Sequence, residues 1–566
     1  MCGIAGVLQP NGPVDPRTLD RFTDSLAHRG PDGRGTWIDG GLGLGHRRLA
    51  ILGLGEAGRN PMAYGGARGD RYWIVYNGEV YNYLELRREL EALGHRFRTA
   101  TDTEVVLAAY AEWGEACFPR FNGMWALALW DREERRLLLA RDRFGIKPLF
   151  WTRQGGRFAF ASELKAFRAL DGFECRMDHE IAAATLQAMT AVEGRRSEAL
   201  LRDVRRLMPG HLLTVRAGEE PVVRRWWDTL DHLPSDVPNR YEDQVALFRE
   251  LLLDAVRLRL RSDVPVGASL SGGVDSGAVA SAIAWLGGTG ERRTGNAAAF
   301  IADFPGTVLD ERVHADAVIG HTGLRAHRWT FDADEAVGHV VDSVWAMEEI
   351  SGAIAVPVWA VYREMRRRGV AVSLDGHGGD ELLCGYHFFL DWPMRTVNDN
   401  LFREFHQDLL PSILRNFDRC SMAHGVEVRM PLMDWRLVCL SFALPAETKV
   451  GAGHTKRILR DAMAGIMPES VRLRRSKIGF NSPMIEWFNG GLAPLIRELV
   501  QDPLWDGIGL WDGPGLRETI LTKTDAQAWT VEDWSDTLHH WAKMSVVLWH
   551  RLFIDGTPAS QLRWMA

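Results

Sequence analysis

The second residue of the chain is a cysteine, in MCGIAGVLQP, with no basic segment ahead of it and no long apolar run after it. Removal of Met1 is favoured by a small second residue, and Cys2 would then carry a thiol and a free α-amine together. An α-amine titrates near pH 8 (roughly 7.7–8.0), so it can serve as general base toward its own thiol, which makes Cys2 a candidate nucleophile. A buried structural cysteine is the alternative at this point. A second constellation lies mid-chain, in SDVPVGASLSGGVDSGAVASAIAWL over 262–286. An apolar strand there runs into Ser271-Gly272-Gly273-Val274-Asp275-Ser276, which opens a helix of small residues. Glycines let backbone amides approach an anion, the helix start supplies partial positive charge, and the serines add hydroxyl donors. The loop has neither the lysine of GxxxxGK[ST] nor the spacing of GxGxxG. An aspartate among phosphate donors makes sense when a divalent cation accompanies the phosphates.

Those residues need elements to hold them. The first ~165 residues read as short strands broken by Gly-rich turns, such as GLGLGHRRLAILG (41–53), RYWIVYNGEVYN (71–82) and the hairpin signal MWALALWDREERRLLLARD (124–142). Helices are predicted over 82–93, with Asn82 as N-cap and Gly94 past the end, and near 102–113. That composition implies an α+β domain. Residues ~210–240 read as a closing hairpin and a Pro/Asp-bearing linker. Beyond them helices and short apolar strands alternate: helix 242–260, strand 264–270, helix 276–286, strand 298–303, helix 310–320, helix 356–368, strand 370–374. This βαβ rhythm predicts a parallel α/β sheet covered on both faces. From 400 onward the pattern is mainly helical. The expected domains are 2–210, a hairpin and linker over 211–240, and 241–566.

The chain has 566 residues, 46% apolar and 25% charged, so it is neither disordered nor a single core. A net charge of −7 argues against a dedicated binder of nucleic acid or anionic membrane, and no stretch is long and apolar enough to span a bilayer. Six scattered cysteines, none in a CxxC pair, exclude a disulfide scaffold and suit a reducing cytoplasm. Of 67 basic residues only seven are lysines: Lys147, Lys165, Lys449, Lys456, Lys477, Lys523 and Lys543.

LSGGVDSG resembles the pyrophosphate loop of the N-type ATP pyrophosphatases, and with MCGIAG the chain resembles the glutamine-hydrolysing asparagine synthetase family. The likeness runs through HRGPDGRG (28–35), GHRRLAI (45–51), YNGEVYN (76–82), TDTE (101–104), ARDRFGIKPLF (140–150), ASELKA (161–166), DGHGGDELLCGY (375–386), FDRCSMAHGVEVRMPLMD (417–434), TKRILRDA (455–462) and RRSKIGFNSP (474–483), in the family's order. The resemblance implies an N-terminal nucleophile hydrolase, an αββα sandwich, followed by an ATP-pyrophosphatase domain with a mostly helical C-terminal part. It makes Cys2 the nucleophile toward glutamine's side-chain amide, with Asn77 and the Gly78 N–H as oxyanion donors. Without the family match, Asn77-Gly78 reads as turn chemistry. Arg48 would hold the glutamine α-carboxylate through a bidentate fork, and Asp102 and Glu79 the α-ammonium and polar groups beside it. In the second half, Leu270, Ser271, Gly272, Gly273, Asp275, Ser276, Ile301, Asp375 and Gly376 would bind ATP, with Asp275 and Asp380 bracketing Mg2+. Lys456 matches the family's catalytic lysine. Where arginine supplies nearly all positive charge, a lysine points to a site wanting a compact ammonium, an argument that extends to Lys477. A carboxylate would become an acyl-adenylate, and ammonia would reach it from Cys2 through an interdomain tunnel.

Two departures from the family pattern bear on the acceptor. Asparagine synthetases typically carry SGEGSDE where this chain reads DGHGGDE, so His377 replaces the glutamate that manages the proton of attacking ammonia, and Asp375 replaces a serine near the adenosine. Histidine can also serve as a base near neutrality. Where aspartate-using enzymes have an arginine, this chain has Ile354 in ISGAIAVP. Three readings follow: asparagine formation from aspartate, the same chemistry on another carboxylate in specialised metabolism, or intramolecular amide formation as in β-lactam synthetase or lasso-peptide cyclase. Intact Cys2, Arg48, Asn77 and Asp102 weigh against the last. The resemblance also suggests a homodimer, and the Trp-rich tail (Trp505, Trp511, Trp529, Trp534, Trp541, Trp549, Trp564) is expected to cover the core or a partner.

Overall fold

The computed structural model describes residues 1–566 apart from 67–68, 189–191, 289–296, 308, 332, 477–481 and 563–566. The N-terminal half contains two six-stranded antiparallel sheets. The first runs Val204–Arg206, Phe150–Gln154, Arg157–Ala161, Gly3–Leu8, Leu42–Arg48, Gly33–Asp39; the second runs Val222–Arg225, His211–Val215, Arg136–Arg141, Gly123–Asp131, Gly69–Val80, Met62–Gly66. Alternating side chains of facing strands interlock between them, among them Ile4, Leu8, Leu44, Ala126, Trp130, Leu139, Phe158 and Phe160. Burying each of the larger ones contributes roughly 1.5–3 kcal/mol. Gly6 has no room for a Cβ because the Phe160 ring lies over it. The other faces carry helices, Pro16–Asp24 on the first sheet and Tyr83–Ala92 with Asp102–Trp113 on the second. This is the αββα sandwich, with helix 102–113 found where the pattern predicts it. The hairpin expected after residue 210 forms as His211–Val215 and Val222–Arg225, and it docks on the edge of the second sheet against Arg136–Arg141.

The C-terminal half is built on one five-stranded sheet, ordered Arg325–Thr330, Ala298–Asp303, Val266–Ser269, Val372–Leu374, Glu427–Arg429, with every pair parallel. The chain moves outward from Val266–Ser269 in one direction, then returns to place Val372–Leu374 on its other side. That reversal opens a crevice at the carboxyl ends of two adjacent central strands, the position where open α/β sheets bind ligands. Two strands escape the sequence pattern. Arg325–Thr330 is an edge strand with charged residues, and Glu427–Arg429 is three residues long with two charges.

The remaining chain is helical. The helix Trp534–Phe553 packs against Val340–Met347 and Met484–Asn489, and Trp505, Trp541 and Trp549 are buried, so these tail tryptophans complete the domain core. All six cysteines are free thiols. No helix of the described residues is long and apolar enough to cross a membrane.

Candidate active sites in the two halves

Cys2 stands immediately before the central strand Gly3–Leu8 of the first sheet, which fixes its backbone. Its amide nitrogen donates to Asn77 Oδ1 at 2.9 Å, and its Sγ lies 4.0 Å from the Leu49 carbonyl, next to Arg48. Asn77 is fully buried near the end of the strand Gly69–Val80. Its Nδ2 is buried and has no hydrogen-bond partner among the described residues, so a donor beside the thiol is left for an incoming oxygen. Gly78 pairs with Trp125, whose backbone lies too close to admit a side chain at 78. Arg48 donates to the carbonyls of Leu52, Gly53 and Gly55 in the following loop. Neutral carbonyls orient the guanidinium without cancelling its charge, which stays available to a carboxylate.

Burial pushes the Cys2 thiol up, and the terminal ammonium and Leu49 contact act against that rise. Met1 is itself buried, its ammonium 3.0 Å from Glu427 on the last strand of the other half. Asp102, at the start of the helix Asp102–Trp113, accepts hydrogen bonds from Tyr76 Oη and Val80 N, both at 3.0 Å. Burial raises its carboxyl to about 6, although these bonds oppose the shift. Glu79 is buried on the same strand and faces Arg429 of the other half at 3.6 Å. Burial and the neighbouring Asp102 raise its carboxyl well above the usual range.

The second site assembles at the crevice. Leu270–Ser276 follow the strand Val266–Ser269, while Asp375–Asp380 follow the adjacent strand Val372–Leu374. Ser271 and Ser276 hydroxyls lie 3.1 Å apart, and Gly273 N donates to Ser271 Oγ at 3.3 Å, which gives the loop its curl. Gly272 has φ +87°, and a Cβ there would press on Glu311 O and Ala315 N, so glycine is required. The loops touch closely: a Cβ on Gly376 would stand 2.6 Å from Ser276 N, and one on Gly379 2.7 Å from the Asp275 carboxyl carbon. Leu270 and Ile301 are both 2% exposed and wall the crevice from neighbouring strands, with Leu270 N donating to Phe300 O at 2.9 Å.

Lys456 enters this crevice from a distant segment. It caps the helix Arg457–Ala462 with φ +53°, its backbone N–H donates to Leu383 O at 3.1 Å, and its Nζ ion-pairs with Asp275 and with Asp380, the latter at 2.5 Å. A non-glycine residue in this backbone region costs about 1–3 kcal/mol, and such positions concentrate at functional sites. A Cβ at Gly385 would collide with both Asp380 and Lys456, so that glycine also serves the site. Two carboxylates beside a Gly/Ser loop are hard-oxygen donors of the kind that Mg2+ takes together with substrate phosphates, so the chemistry of Asp275 and Asp380 fits that ion.

His377 lies between Gly376 and Gly378 of the second loop, its ring centroid 3.5 Å from that of Phe417 and its Nε2 3.4 Å from Asp375 Oδ2. Ile354 is 2% exposed, and its carbonyl accepts from Ser482 Oγ at 2.5 Å. Lys477 and Trp564 lie outside the described residues.

Several residues at these sites escaped the sequence reading. Arg474, inside RRSKIGFNSP, donates from Nη1 to Gly272 O at 3.1 Å and ion-pairs with Glu311. Tyr386 Oη donates to Glu381 at 2.8 Å, and burial together with Asp380 raises Glu381 to about 7. Arg29 is fully buried: Nε donates to Cys2 O at 3.0 Å, while Nη1 reaches Glu163 at 2.6 Å and Asp418 at 2.9 Å. It therefore ties the first site to the helix Leu409–Met422, which carries Phe417. Their motifs drew attention to these segments, but only distant partners reveal the roles.

Comparison with known proteins follows the same division. A glutamine amidotransferase family model matches residues 1–227, and an asparagine synthase family model matches 247–402 and 393–551. Asparagine synthetase (glutamine-hydrolyzing) 3 of Bacillus subtilis is 31% identical over 550 residues, covering 84% of this chain and 86% of that one. Asparagine synthetase (glutamine-hydrolyzing) 1 of the same organism is 27% identical over 593 residues, covering 89% and 91%. Amidase chry2 of Gibberella zeae is 31% identical over 421 residues, covering 69% of this chain and 60% of its own.

Proposed function

The chain belongs to the glutamine-hydrolysing asparagine synthetase family, and from that premise we propose that it transfers glutamine-derived ammonia to a carboxylic acid other than aspartate. It is a glutamine-dependent carbon–nitrogen ligase that consumes ATP. In the N-terminal half, with Met1 removed, the Cys2 amine takes the thiol proton and the thiolate attacks the glutamine side-chain carbonyl. Asn77 Nδ2 and Gly78 N–H receive the developing oxyanion. Arg48 and Asp102 hold the amino acid's two charged groups. The γ-glutamyl thioester releases ammonia and is then hydrolysed.

Ammonia crosses between the halves. A cavity of about 40 Å³ lies there, lined by Arg141, Ile146, Phe150, Glu193, Arg206 and Asp418 among others. Burial and nearby arginines disfavour ammonium and so keep the passenger as nucleophilic ammonia. In the C-terminal half the loop 271–276 cradles the ATP phosphates, the acceptor carboxylate attacks the α-phosphorus, and pyrophosphate leaves. Lys456 offsets charge that builds on the phosphates. Asp275 and Asp380 would hold magnesium, which when bound neutralises part of the same charge.

The observation that carries the acceptor assignment is the buried Ile354 where an arginine would clasp a second carboxylate. Aspartate is the second reading, favoured by the names of the Bacillus relatives. Pyrophosphate exchange into ATP, run against a panel of carboxylic acids, decides between them. Exchange driven by monocarboxylic acids supports the first reading, and exchange driven by aspartate alone would sink it.

Asp102 gives a pH prediction. Its carboxylate clasps the glutamine ammonium only when ionised, and its carboxyl is raised to about 6. KM for glutamine is therefore expected to rise as pH falls through about 6, while Asp102→Asn shows a high KM that stays flat across that window. The stability sign is opposite. Burying the charged carboxylate is a cost present above about 6, relieved as pH drops toward the unfolded value of about 3.9. A glutamine KM independent of pH in the parent enzyme would refute the assignment.

A further inference from the structure

The two departures from the family's loop pattern, at 375 and 377, meet in space. Asp375 follows the strand Val372–Leu374 and is 1% exposed. Its backbone N–H donates to Arg429 O at 2.9 Å. Oδ1 accepts from Ser269 N at 3.3 Å and from Ser373 Oγ, and Oδ2 accepts from Tyr362 Oη at 2.6 Å. Donors from two strands and from the helix Val356–Arg367 thus fix both oxygens. That same Oδ2 lies 3.4 Å from His377 Nε2, which is buried and makes no hydrogen bond among the described residues, and the Phe417 and imidazole ring centroids are 3.5 Å apart. The carboxylate that the family keeps at position 377 is here two residues back, with a histidine beside it.

We propose that Asp375 and Tyr362 are positioning residues that hold His377 with Nε2 toward the buried carboxylate, leaving Nδ1 as the base in the amide-forming step. This rests on the ammonia-transfer function above. Ammonia nitrogen bonds to the acyl carbon of the adenylate, and the carbon–oxygen bond to AMP breaks with its electron pair leaving on the phosphate. One nitrogen-bound proton passes to His377 Nδ1. The imidazolium that results is stabilised by Asp375, a pairing of carboxylate and histidine that selects the tautomer and orients the ring. Tyr362 competes for the same oxygen, so it tempers the carboxylate rather than supplying it. Asp375, and through it Tyr362, are the titratable groups set against the ring, and Phe417 is its apolar neighbour. The arrangement keeps the loop's net charge, with the carboxylate at 375 instead of 377, without giving up a base.

The two half-reactions separate positioning from scaffolding. Adenylation is read by ATP–pyrophosphate exchange without ammonia, and amide formation by turnover with ammonium chloride, in the full chain. Asp375→Asn is expected to lower kcat for amide formation by about 10- to 100-fold more than it lowers exchange, the range of positioned proton transfer. The acid limb of its pH profile should move down, the direction expected on losing a nearby carboxylate. Tyr362→Phe frees Oδ2 for the imidazole and should move that limb upward, a shift of opposite sign that a merely structural role does not produce. If Asp375→Asn does not fold, the Tyr362→Phe shift still decides. Exchange and amide formation falling in parallel, or an acid limb unmoved in Tyr362→Phe, would overturn the proposal. Should aspartate prove to be the acceptor, both half-reactions are read with aspartate and these expectations stand unchanged.

Discussion

Cys2→Ala should abolish glutamine-supported amide formation, by roughly 10⁴-fold or more, the scale of removing a nucleophile from a catalytic unit. Ammonia-supported formation should remain close to the parent rate. The contacts of Cys2 explain why the loss is chemical rather than structural. Its amide hydrogen bond to Asn77 and its carbonyl bond from Arg29 are both made by backbone, so alanine retains them. Among the described residues, the hydrogen-bond partner of the thiol is the Leu49 carbonyl at 4.0 Å. Rates with glutamine and with ammonium chloride, measured on one preparation, provide the check. Glutamine-driven turnover that survives the substitution would remove Cys2 from the mechanism.

Lys456→Ala is expected to lower ATP–pyrophosphate exchange by at least about 100-fold while leaving glutaminase turnover within a few-fold. The ammonium is 3% exposed and lies between Asp275 and Asp380. Removing one partner from a buried ionic cluster strands the others, at about 3–5 kcal/mol. On a transition state that energy corresponds to roughly 10²–10⁴ in rate. The same argument predicts a lower Tm in the absence of nucleotide, partly restored by added magnesium, since a divalent cation can occupy the vacated place between the carboxylates. Lys456→Arg should rescue poorly: the site needs a compact ammonium, and the lysine stem already runs so close to Gly385 that a Cβ there would meet its Cε. Undiminished exchange in Lys456→Ala would withdraw the assignment.

The two half-reactions were legible from short segments because each rests on local chemistry. LSGGVDSG curls by hydrogen bonds among its own residues, and Cys2 needs only to be second in the chain. The helices 83–92 and 102–113 likewise follow from their own periodicity and turn residues. The strands 325–330 and 427–429 did not, because their charged side chains break the apolar pattern of a covered parallel strand. In Glu427–Arg429 those charges are buried: Glu427 takes the Met1 ammonium and Arg429, which outweigh burial and hold its carboxyl at about 2. The carboxylate of Asp375 faces Ser373, Tyr362 and His377, a setting that depends on a helix and a strand outside the motif and is not legible in it.

The sequence by itself determined the chemistry the chain offers: a thiol at position 2, a Gly/Ser-rich loop with an aspartate at 271–276, and a scarcity of lysine that draws attention to Lys456. Only the tertiary structure decided which charges act together. Arg29 and Asp418 stand 389 residues apart yet share a bond under the domain interface, and Lys456 reaches Asp275 across 181 residues. A charged residue read along the chain belongs to a solvated surface by default, because burying it alone is prohibitive. It becomes affordable when a partner of opposite sign arrives from another segment, and that meeting is set by sheet order and domain packing, which no local pattern contains.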